Sequence, residues 1–282
     1  MSEVTKLAGV CGWPIHHSLS PLLHNYWLRD LGIPGAYVHF AVRPDEAVKA
    51  FQSLKHTSIT GVNVTLPLKS LAFQAADEHS SDALKLGVSN CLYKKNGLLI
   101  AHNTDMEGFA EPLLEALGAD ELSRRSVLVI GTGGAAKAVI GALLSMNIPE
   151  IKICGRNDEM SQNLVASVNL PSFYNIPWSQ RHLAVSNAGL IVNASAGGMK
   201  GKGPLDLDLS RISPDCFVYD LIYTPTHTPL LMAAKRKGCQ TLGGLDMLIA
   251  QAKPSFRYFY GQPPRKESSP RDMLLKELQD QM

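Results

Sequence analysis

A buried-strand pattern runs directly into a glycine-rich turn near the middle of this sequence. The apolar segment Ser126–Ile130 is followed by Gly131 and Gly133, and an alanine-rich helical pattern begins at once. Gly131 permits a tight turn, Gly133 lets the backbone approach a ligand, and Ala136 allows the helix to pack closely on the strand. Free N–H groups at the start of such a helix attract negative charge. The segment therefore predicts a site for the pyrophosphate of a dinucleotide.

Cofactor choice depends on the residues that follow the next predicted strand, Ile151–Cys154. Arg156 can pair with a 2′-phosphate through its planar guanidinium group, which favours NADP. Asp158 can accept hydrogen bonds from an unphosphorylated ribose, which favours NAD. Because Arg156 lies closer to the strand end, we expect NADP, with NAD tolerated. The alternative interpretation is that both residues are solvated loop charges.

Short apolar runs alternate with helical patterns along the whole chain, which predicts an α/β fold with mostly parallel sheets. The pattern changes near residue 105, where a polar loop leads into a helical stretch, Glu107–Leu117, that we interpret as a connector between domains. Helical patterns also begin at Gly243 and cover Met273–Met282. The predicted strands are Leu7–Cys11, Ala36–Phe40, Gly61–Val64, Val127–Ile130, Ile151–Cys154, Leu190–Asn193 and Phe217–Leu221.

Composition narrows the classes of function. A chain of 282 residues, 45% of them hydrophobic, can bury a large core and is long enough for two domains. The formal net charge of +2 gives no reason to expect a nucleic-acid or membrane partner, so we expect a small-molecule substrate. Neither a membrane-helix pattern nor a secretory signal is present, which predicts a cytoplasmic location. The five cysteines are widely spaced without a CxxC pair, so we expect neither disulfides nor a metal site.

Two groups of polar residues in the N-terminal half are candidates for substrate binding. Ser18 and Ser20 precede a helix that can hold Pro21 in its first turn. Their hydroxyl groups either bind a carboxylate beside the positive end of that helix, or Ser20 only caps the helix and Ser18 is incidental. Thr65 and Lys69 follow a predicted strand, at the sheet edge where parallel sheets usually bind ligands.

Asn90 and Asp105 also follow strand-loop junctions in this interpretation, and either could instead be an ordinary turn residue. Lys69 taken alone could be a solvated surface charge.

Together these residues resemble the shikimate dehydrogenase family, and the resemblance covers nearly the whole chain. The family pattern GxPIxHSxSPxxHN corresponds to Gly12–Asn25, NVTxPxK to Asn63–Lys69, and NTDxxG to Asn103–Gly108. The glycine-rich segment Gly131–Ala138 is similar to the family's GxGGAxxA. Three further similar segments are Ile191–Met199, Asp220–Leu230 and Met247–Gln251.

The resemblance implies a domain organisation and a set of site residues. Residues 1–105 would form the substrate-binding and catalytic domain, completed by helices in 243–282, and residues 106–242 would form an NAD(P)-binding Rossmann domain, with the active site between them. Ser18 and Ser20 would bind the substrate carboxylate. The ring hydroxyls would be held by Thr65, Lys69, Asn90, Asp105 and Gln251, with Tyr223 lining the same cleft. The cofactor would be held by Gly131, Gly133, Gly134 and Ala135 at the pyrophosphate and Arg156 at the ribose phosphate.

The implied activity is the reversible reduction of 3-dehydroshikimate to shikimate with NADPH. Lys69 and Asp105 would move the proton that accompanies hydride transfer, and the sequence does not say which of them is the base. The alternatives are a dehydrogenase for quinate or a shikimate analogue that uses NAD, and a non-catalytic dinucleotide-binding sensor. The sequence leaves the oligomeric state open, with a homodimer as one option.

Three departures from the family pattern lie near the implied site, and one is Gly155-Arg156-Asn157, the loop that would read NRT in the family. Cys91 replaces the threonine that usually follows the asparagine equivalent to Asn90, which predicts a slightly less polar pocket and leaves substrate preference open. Asp246 stands where the family often has glycine, and nothing in the sequence explains it.

Overall fold

The computed structural model describes residues 5–280 and divides them into two compact units. Unit 1 comprises residues 5–108 and 248–280, and unit 2 comprises residues 109–247. The chain passes from one unit to the other within two continuous helices, Asp105–Leu117 and Gly244–Tyr260. The borders between the units therefore lie inside these helices, after residues 108 and 247, whereas the sequence predicts borders after residues 105 and 242.

Unit 1 alternates short strands with helices. In chain order these are β1 (Lys6–Gly12), α1 (Ser20–Leu31), β2 (Gly35–Ala41), α2 (Ala47–Ser53), β3 (Ile59–Val64), α3 (Lys69–Ala75), β4 (Glu78–His79), α4 (Ser81–Leu86), β5 (Cys91–Lys95), β6 (Leu98–His102) and the start of α5 (Asp105–Leu117). Pro21 lies in the first turn of α1, where its missing N–H costs no helical hydrogen bond. Gly32 ends that helix in the left-handed conformation, with φ of 64°.

The sheet of unit 1 is mixed, with strand order β2-β1-β3-β5-β6-β4. β1 is parallel to β2 and β3, whereas β5 is antiparallel to both β3 and β6. β5 and β6 form a hairpin whose two turn residues, Asn96 and Gly97, have φ of 53° and 80°. Positive φ at both positions is the geometry of a type I′ turn. This hairpin, absent from the predicted strands, makes the sheet mixed, although three of its five strand pairs, including β4 with β6, are parallel as the sequence predicts.

Unit 2 contains a second six-stranded sheet, in which every strand pair is parallel. Its strand order is β12-β11-β10-β7-β8-β9, so successive strands are added on both sides of β7 and the order reverses between β7 and β10. This is the doubly wound Rossmann arrangement, which binds ligands at that switch point. The elements are α6 (Ala119–Leu122), β7 (Ser126–Ile130), α7 (Gly134–Ser145), β8 (Glu150–Cys154), α8 (Asp158–Val168), β9 (Phe173–Asn175), α9 (Arg181–Ala184), β10 (Leu190–Asn193), β11 (Phe217–Asp220), α10 (Pro229–Arg236) and β12 (Thr241–Gly243).

Helices α11 (Gly244–Tyr260) and α12 (Arg271–Asp280) complete the chain, and most of α11 and all of α12 belong to unit 1. Each unit has its own apolar core. The core of unit 1 includes Phe51, Leu92 and Leu99, and that of unit 2 includes Leu128 and Ile191, all of which are buried. Each such side chain contributes about 1.5–3 kcal/mol by leaving water. The two cores fix the strand ends that carry the candidate site residues.

Candidate functional site

Four strands of the unit 1 sheet have ends at one common edge. β1 and β3 are parallel neighbours, so the loops that follow Gly12 and Val64 leave at the same edge. β5 begins there, because the Val64 backbone N–H donates to the Asn90 carbonyl oxygen at 2.8 Å. β6 ends there, because Cys91 is paired with His102 across the hairpin. The residues just before β5 are therefore beside those just after β6.

Lys69 and Asp105 meet at this edge. Lys69 Nζ donates a hydrogen bond to Asp105 Oδ2 at 2.5 Å, and the two residues begin helices α3 and α5. Their side chains are 15% and 8% exposed, so the ion pair is largely shielded from water. The other carboxylate oxygen, Oδ1, accepts a hydrogen bond from Asn90 Nδ2 at 2.8 Å. Both oxygens of Asp105 are thus fixed, and the amine of Lys69 is held against one of them.

Asn90 connects this pair to two further residues. Its side-chain oxygen accepts a hydrogen bond from the backbone N–H of Thr104 at 2.7 Å, and its Nδ2 lies 2.9 Å from Thr104 Oγ1. Gln251 Oε1, on α11, lies 3.3 Å from Thr104 Oγ1 and 3.4 Å from Asn90 Nδ2. Four of the predicted residues, Lys69, Asn90, Asp105 and Gln251, are therefore linked in one network. Asn90 precedes a strand rather than following one, which corrects its predicted position.

Ser18 and Ser20 lie in the loop after β1 and at the start of α1. Ser18 Oγ donates to Ser20 Oγ at 3.2 Å, and the backbone N–H of Ser20 donates to Ser18 Oγ at 3.3 Å. Helix α1 begins at Ser20, with Leu19 at the capping position and no side-chain cap, so the interpretation of Ser20 as the cap is wrong. His39 Nε2 donates to the carbonyl oxygen of Ser18 at 2.9 Å and holds the loop. The two hydroxyl groups remain beside an uncapped helix N-terminus.

Thr65 follows β3 at the same sheet edge, and its backbone N–H donates to the carbonyl oxygen of Cys11 at 2.9 Å. This hydrogen bond joins the loop after β3 to the end of β1. A Cβ atom on Gly12 would lie 2.8 Å from Thr65 Cγ2, so glycine is needed for the two loops to approach. Thr65 is half-buried, and the structure gives its hydroxyl no direct hydrogen bond to the Lys69–Asp105 network within residues 5–280.

A set of buried polar side chains is hydrogen-bonded to residues of this network. Asn63 Nδ2 donates to the carbonyl oxygen of Asn90 at 3.1 Å and to Ser255 Oγ at 2.8 Å. The hydroxyl of Tyr37 donates to Asn63 Oδ1 at 2.8 Å, and Thr104 Oγ1 lies 3.3 Å from Ser255 Oγ. None of these supporting roles was predicted. Asn63 and Thr104 lie within the motifs NVTxPxK and NTDxxG, and that was the one available signal.

The glycine-rich turn of unit 2 lies at the switch point of its sheet. Gly131 has φ of 118°, and a Cβ atom there would lie 2.8 Å from the carbonyl oxygen of Ala194. Gly133 precedes α7 and is exposed, and a Cβ atom on it would meet no atom within 4 Å. Helix α7 begins at Gly134, followed by Ala135, and has no side-chain cap. Open space above uncapped N–H groups fits a pyrophosphate.

The two residues proposed to decide cofactor choice differ in their surroundings. Arg156 follows β8 and is exposed, and its side chain forms no hydrogen bond or ion pair with residues 5–280. Asp158 begins α8, and its Oδ1 accepts a hydrogen bond from the backbone N–H of Trp178 at 3.0 Å. Asn157 caps α8 through a hydrogen bond from the Met160 N–H at 3.1 Å. Asp158 therefore has a structural role, whereas Arg156 is available to a ligand.

Comparison with known proteins identifies the family of this chain. Residues 10–92 match the family model described as the shikimate dehydrogenase substrate binding domain. A shikimate dehydrogenase (NADP(+)) of Azorhizobium caulinodans is 38% identical over 97% of this chain and 97% of its own length. The chain belongs to the shikimate dehydrogenase family. The shikimate dehydrogenase structure from Aquifex aeolicus covers 97% of this chain and 99% of that one, with a TM-score of 0.88 and 31% identity.

A second family structure, from Thermus thermophilus in complex with NADP(H) and shikimate, covers 97% of this chain and 100% of that one, with a TM-score of 0.84 and 30% identity. The fold is therefore that of the family, with a mixed sheet in unit 1 and a parallel Rossmann sheet in unit 2. Within residues 5–280, no helix is long and apolar enough to cross a membrane.

The structure describes the surroundings of Cys91 and Asp246, two of the departures from the family pattern. Cys91 is fully buried, and burial raises the pKa of its thiol to about 12, against a smaller opposing effect of its hydrogen bond with Ser255. Its partner Ser255 also contacts Asn63 and Thr104. Asp246 lies in the first turn of α11, where a carboxylate is stabilised by the partial positive charge of the helix N-terminus. Tyr223 is half-buried in the loop after β11 of unit 2.

Proposed function

We propose that this chain catalyses the reversible reduction of 3-dehydroshikimate to shikimate, with NADPH as the hydride donor. The observation that carries the proposal is the Lys69–Asp105 pair, 2.5 Å apart and anchored by Asn90. An amine and a carboxylate held in contact, with little exposure to water, can pass a proton to and from a substrate oxygen. A non-catalytic sensor has no use for such a pair.

Substrate recognition in this proposal rests on two sets of polar groups at the same edge of the unit 1 sheet. The hydroxyls of Ser18 and Ser20 bind the carboxylate, helped by the positive end of the 12-residue helix α1. The ring hydroxyls bind to Thr65, Asn90 and Gln251. Asn90 and Gln251 each contact Thr104, and Thr104 in turn contacts Ser255. These contacts keep the two side chains oriented before the substrate binds.

The chemical step requires a proton and a hydride to move together. When bound, the cofactor would supply the hydride chemistry that interconverts shikimate and its ketone. As shikimate is oxidised, the proton of the reacting hydroxyl passes to the Lys69–Asp105 pair, and in the reverse direction the pair returns it to the carbonyl oxygen. Asp105 also orients Lys69, because its second oxygen is already occupied by Asn90. General acid–base catalysis of this kind typically contributes about 10²–10⁴-fold to the rate.

The proposed cofactor is NADP, with NAD as a weaker alternative. The turn at Gly131 and Gly133, with Gly134 and Ala135 at the start of α7, holds the pyrophosphate. Arg156 pairs with the 2′-phosphate, because its guanidinium group is exposed and free of internal partners among the described residues. One oxygen of Asp158 is occupied by the Trp178 N–H, which weakens the case for Asp158 as a ribose ligand and hence for NAD.

Initial rates at 340 nm test the proposal, with shikimate and quinate each assayed with NADP⁺ and with NAD⁺. The highest kcat/KM is expected for shikimate with NADP⁺. A preference for quinate would show that the pocket around Ser20 and Cys91 binds a different ring. A preference for NAD⁺ would remove the role of Arg156, and nucleotide binding without turnover of any cyclic acid would favour the sensor. The cytoplasmic location and the homodimer remain predictions.

A further inference from the structure

Three fully buried polar residues in unit 2 form a hydrogen-bonded cluster at the carboxyl ends of two strands. Asn193 ends β10 and Asp220 ends β11, and the two residues are directly paired across the strands. Asn193 Nδ2 donates to Asp220 Oδ1 at 2.9 Å, and Thr228 Oγ1 donates to Asp220 Oδ2 at 2.6 Å. Each of the three residues is 0% exposed. We refer to Asn193, Asp220 and Thr228 as the buried cluster.

The buried cluster fixes the backbone of both loops that leave these strands. Asn193 Oδ1 accepts hydrogen bonds from the N–H of Ser195 at 3.1 Å and from its hydroxyl at 2.7 Å. Asn193 Nδ2 also donates to the carbonyl oxygen of Gly197 at 3.1 Å. Asp220 Oδ1 accepts from the N–H of Ile222 at 3.2 Å. The first residues of both loops are therefore tied to buried side chains instead of being free to move.

These loops adjoin the proposed cofactor site. A Cβ atom on Gly131 would lie 2.8 Å from the Ala194 carbonyl oxygen and 3.1 Å from the Ser195 nitrogen, so the loop after β10 touches the glycine-rich turn. A doubly wound sheet consists of two mononucleotide-binding halves. The half formed by β7, β8 and β9 carries Arg156 and takes the adenosine side. The half that contains β10 and β11 remains for the nicotinamide side.

Joining two loops through a buried carboxylate costs free energy, because the carboxylate is removed from water. Burial raises the pKa of Asp220, and its hydrogen bonds with Thr228, Ile222 and Asn193 only oppose that effect. Packing alone would be achieved at lower cost by apolar side chains. What a carboxylate adds is two acceptor oxygens that fix two loops and the start of α10 in one geometry.

We propose that Asn193, Asp220 and Thr228 are positioning residues that hold the loops after β10 and β11 in the shape that receives the nicotinamide half of the cofactor. This inference rests on the proposed function for the identity of the cofactor. The buried cluster itself contacts neither cofactor nor substrate and acts through the two loops.

The test compares two nucleotides by isothermal titration calorimetry. NADP⁺ contains both halves of the cofactor, whereas 2′,5′-ADP contains only the adenosine half with its phosphates. In Asp220→Asn and Thr228→Val, the ratio of the Kd of NADP⁺ to the Kd of 2′,5′-ADP should rise by about threefold or more, because only the nicotinamide side loses its shape. A smaller rise, including equal weakening of both nucleotides, would overturn the inference. This readout does not need turnover.

Matched variants separate positioning from simple loss of stability. Thr228→Ser keeps the hydroxyl that donates to Asp220 and also caps α10, so it should restore the wild-type ratio. Thr241→Val makes the same chemical change at the start of β12, outside both loops, and should leave the ratio unchanged. If Asp220→Asn does not fold, the Thr228 pair decides the question. Failure of the proposed function would appear separately, as wild-type protein that binds NADP⁺ but does not oxidise shikimate.

Discussion

Replacement of Gly108 by alanine tests the packing that supports the substrate site. Gly108 lies in α5, against Gln251 in α11. A Cβ atom on Gly108 would lie 2.4 Å from Gln251 Cβ and 2.8 Å from Gln251 Cα and N. Because two of these three atoms belong to the backbone, a change of rotamer cannot relieve the overlap, and α11 must move away from α5.

Two opposing effects determine the stability of Gly108→Ala. Alanine is favoured over glycine inside a helix by about 1 kcal/mol. Overpacking of a filled core costs typically about 1–3 kcal/mol, and the rigid obstacle here places the cost at the upper end. We therefore expect a net destabilisation of about 1–2 kcal/mol. The hydrogen bonds of Gln251 Oε1 to Thr104 and Asn90, already 3.3 and 3.4 Å long, should break, so the KM for shikimate should rise.

Urea unfolding and shikimate kinetics measure both consequences. Ala116→Gly is the control, because Ala116 is an exposed residue of the same helix and its replacement reports the helix propensity alone. If Gly108→Ala stabilises the protein by as much as Ala116→Gly destabilises it, and the KM for shikimate does not change, the steric argument is wrong.

Three further predictions concern other residues. Arg156→Ala should raise the KM for NADP⁺ by about 10-fold or more, through loss of a charged hydrogen bond, and leave that for NAD⁺ nearly unchanged; equal effects on both would exclude a 2′-phosphate contact. Burial lowers the pKa of His24 to about 3, so its contribution to stability is present above pH 6.5 and declines by up to about 1.4 kcal/mol per pH unit as the pH falls from 6.5 to 3. Between pH 7 and pH 5, the free energy of unfolding measured in urea should therefore fall less for His24→Phe than for the wild-type protein. An identical fall in both proteins would contradict this. Cys91→Thr restores the usual family residue beside Ser255 and should change the ratio of kcat/KM for shikimate to that for quinate by less than about fivefold; a larger change would show that Cys91 sets substrate preference.

Much of the fold follows from local sequence patterns. All seven predicted strands are present, and each of them except the edge strand β2 is a short run that is mostly buried in one of the two sheets. The strands β5 and β6 were not predicted, since Lys94 and Lys95 interrupt the apolar pattern, although Asn96-Gly97 is a strong hairpin signal. That hairpin places Asn90 beside Asp105, so the omission hid the geometry of the site.

The supporting residues of the site could not be derived from local patterns. Ser255 contacts Asn63 and Thr104, which are far from it in sequence, and only the packing of α11 on unit 1 brings them together. The residue types at Lys69 and Asp105 were informative because of the motifs around them. Their contact is a property of the sheet edge, and their catalytic role is still a prediction.

The Lys69→Ala variant, assayed for shikimate oxidation at saturating NADP⁺, tests the central claim most directly. Removal of the amine leaves Asp105 held by Asn90 but takes away the group 2.5 Å from its other oxygen. With thermal unfolding and NADP⁺ binding measured as controls for folding, kcat should fall by about 100-fold or more. A folded variant that binds NADP⁺ and keeps the wild-type kcat would contradict the assignment of proton transfer to the Lys69–Asp105 pair.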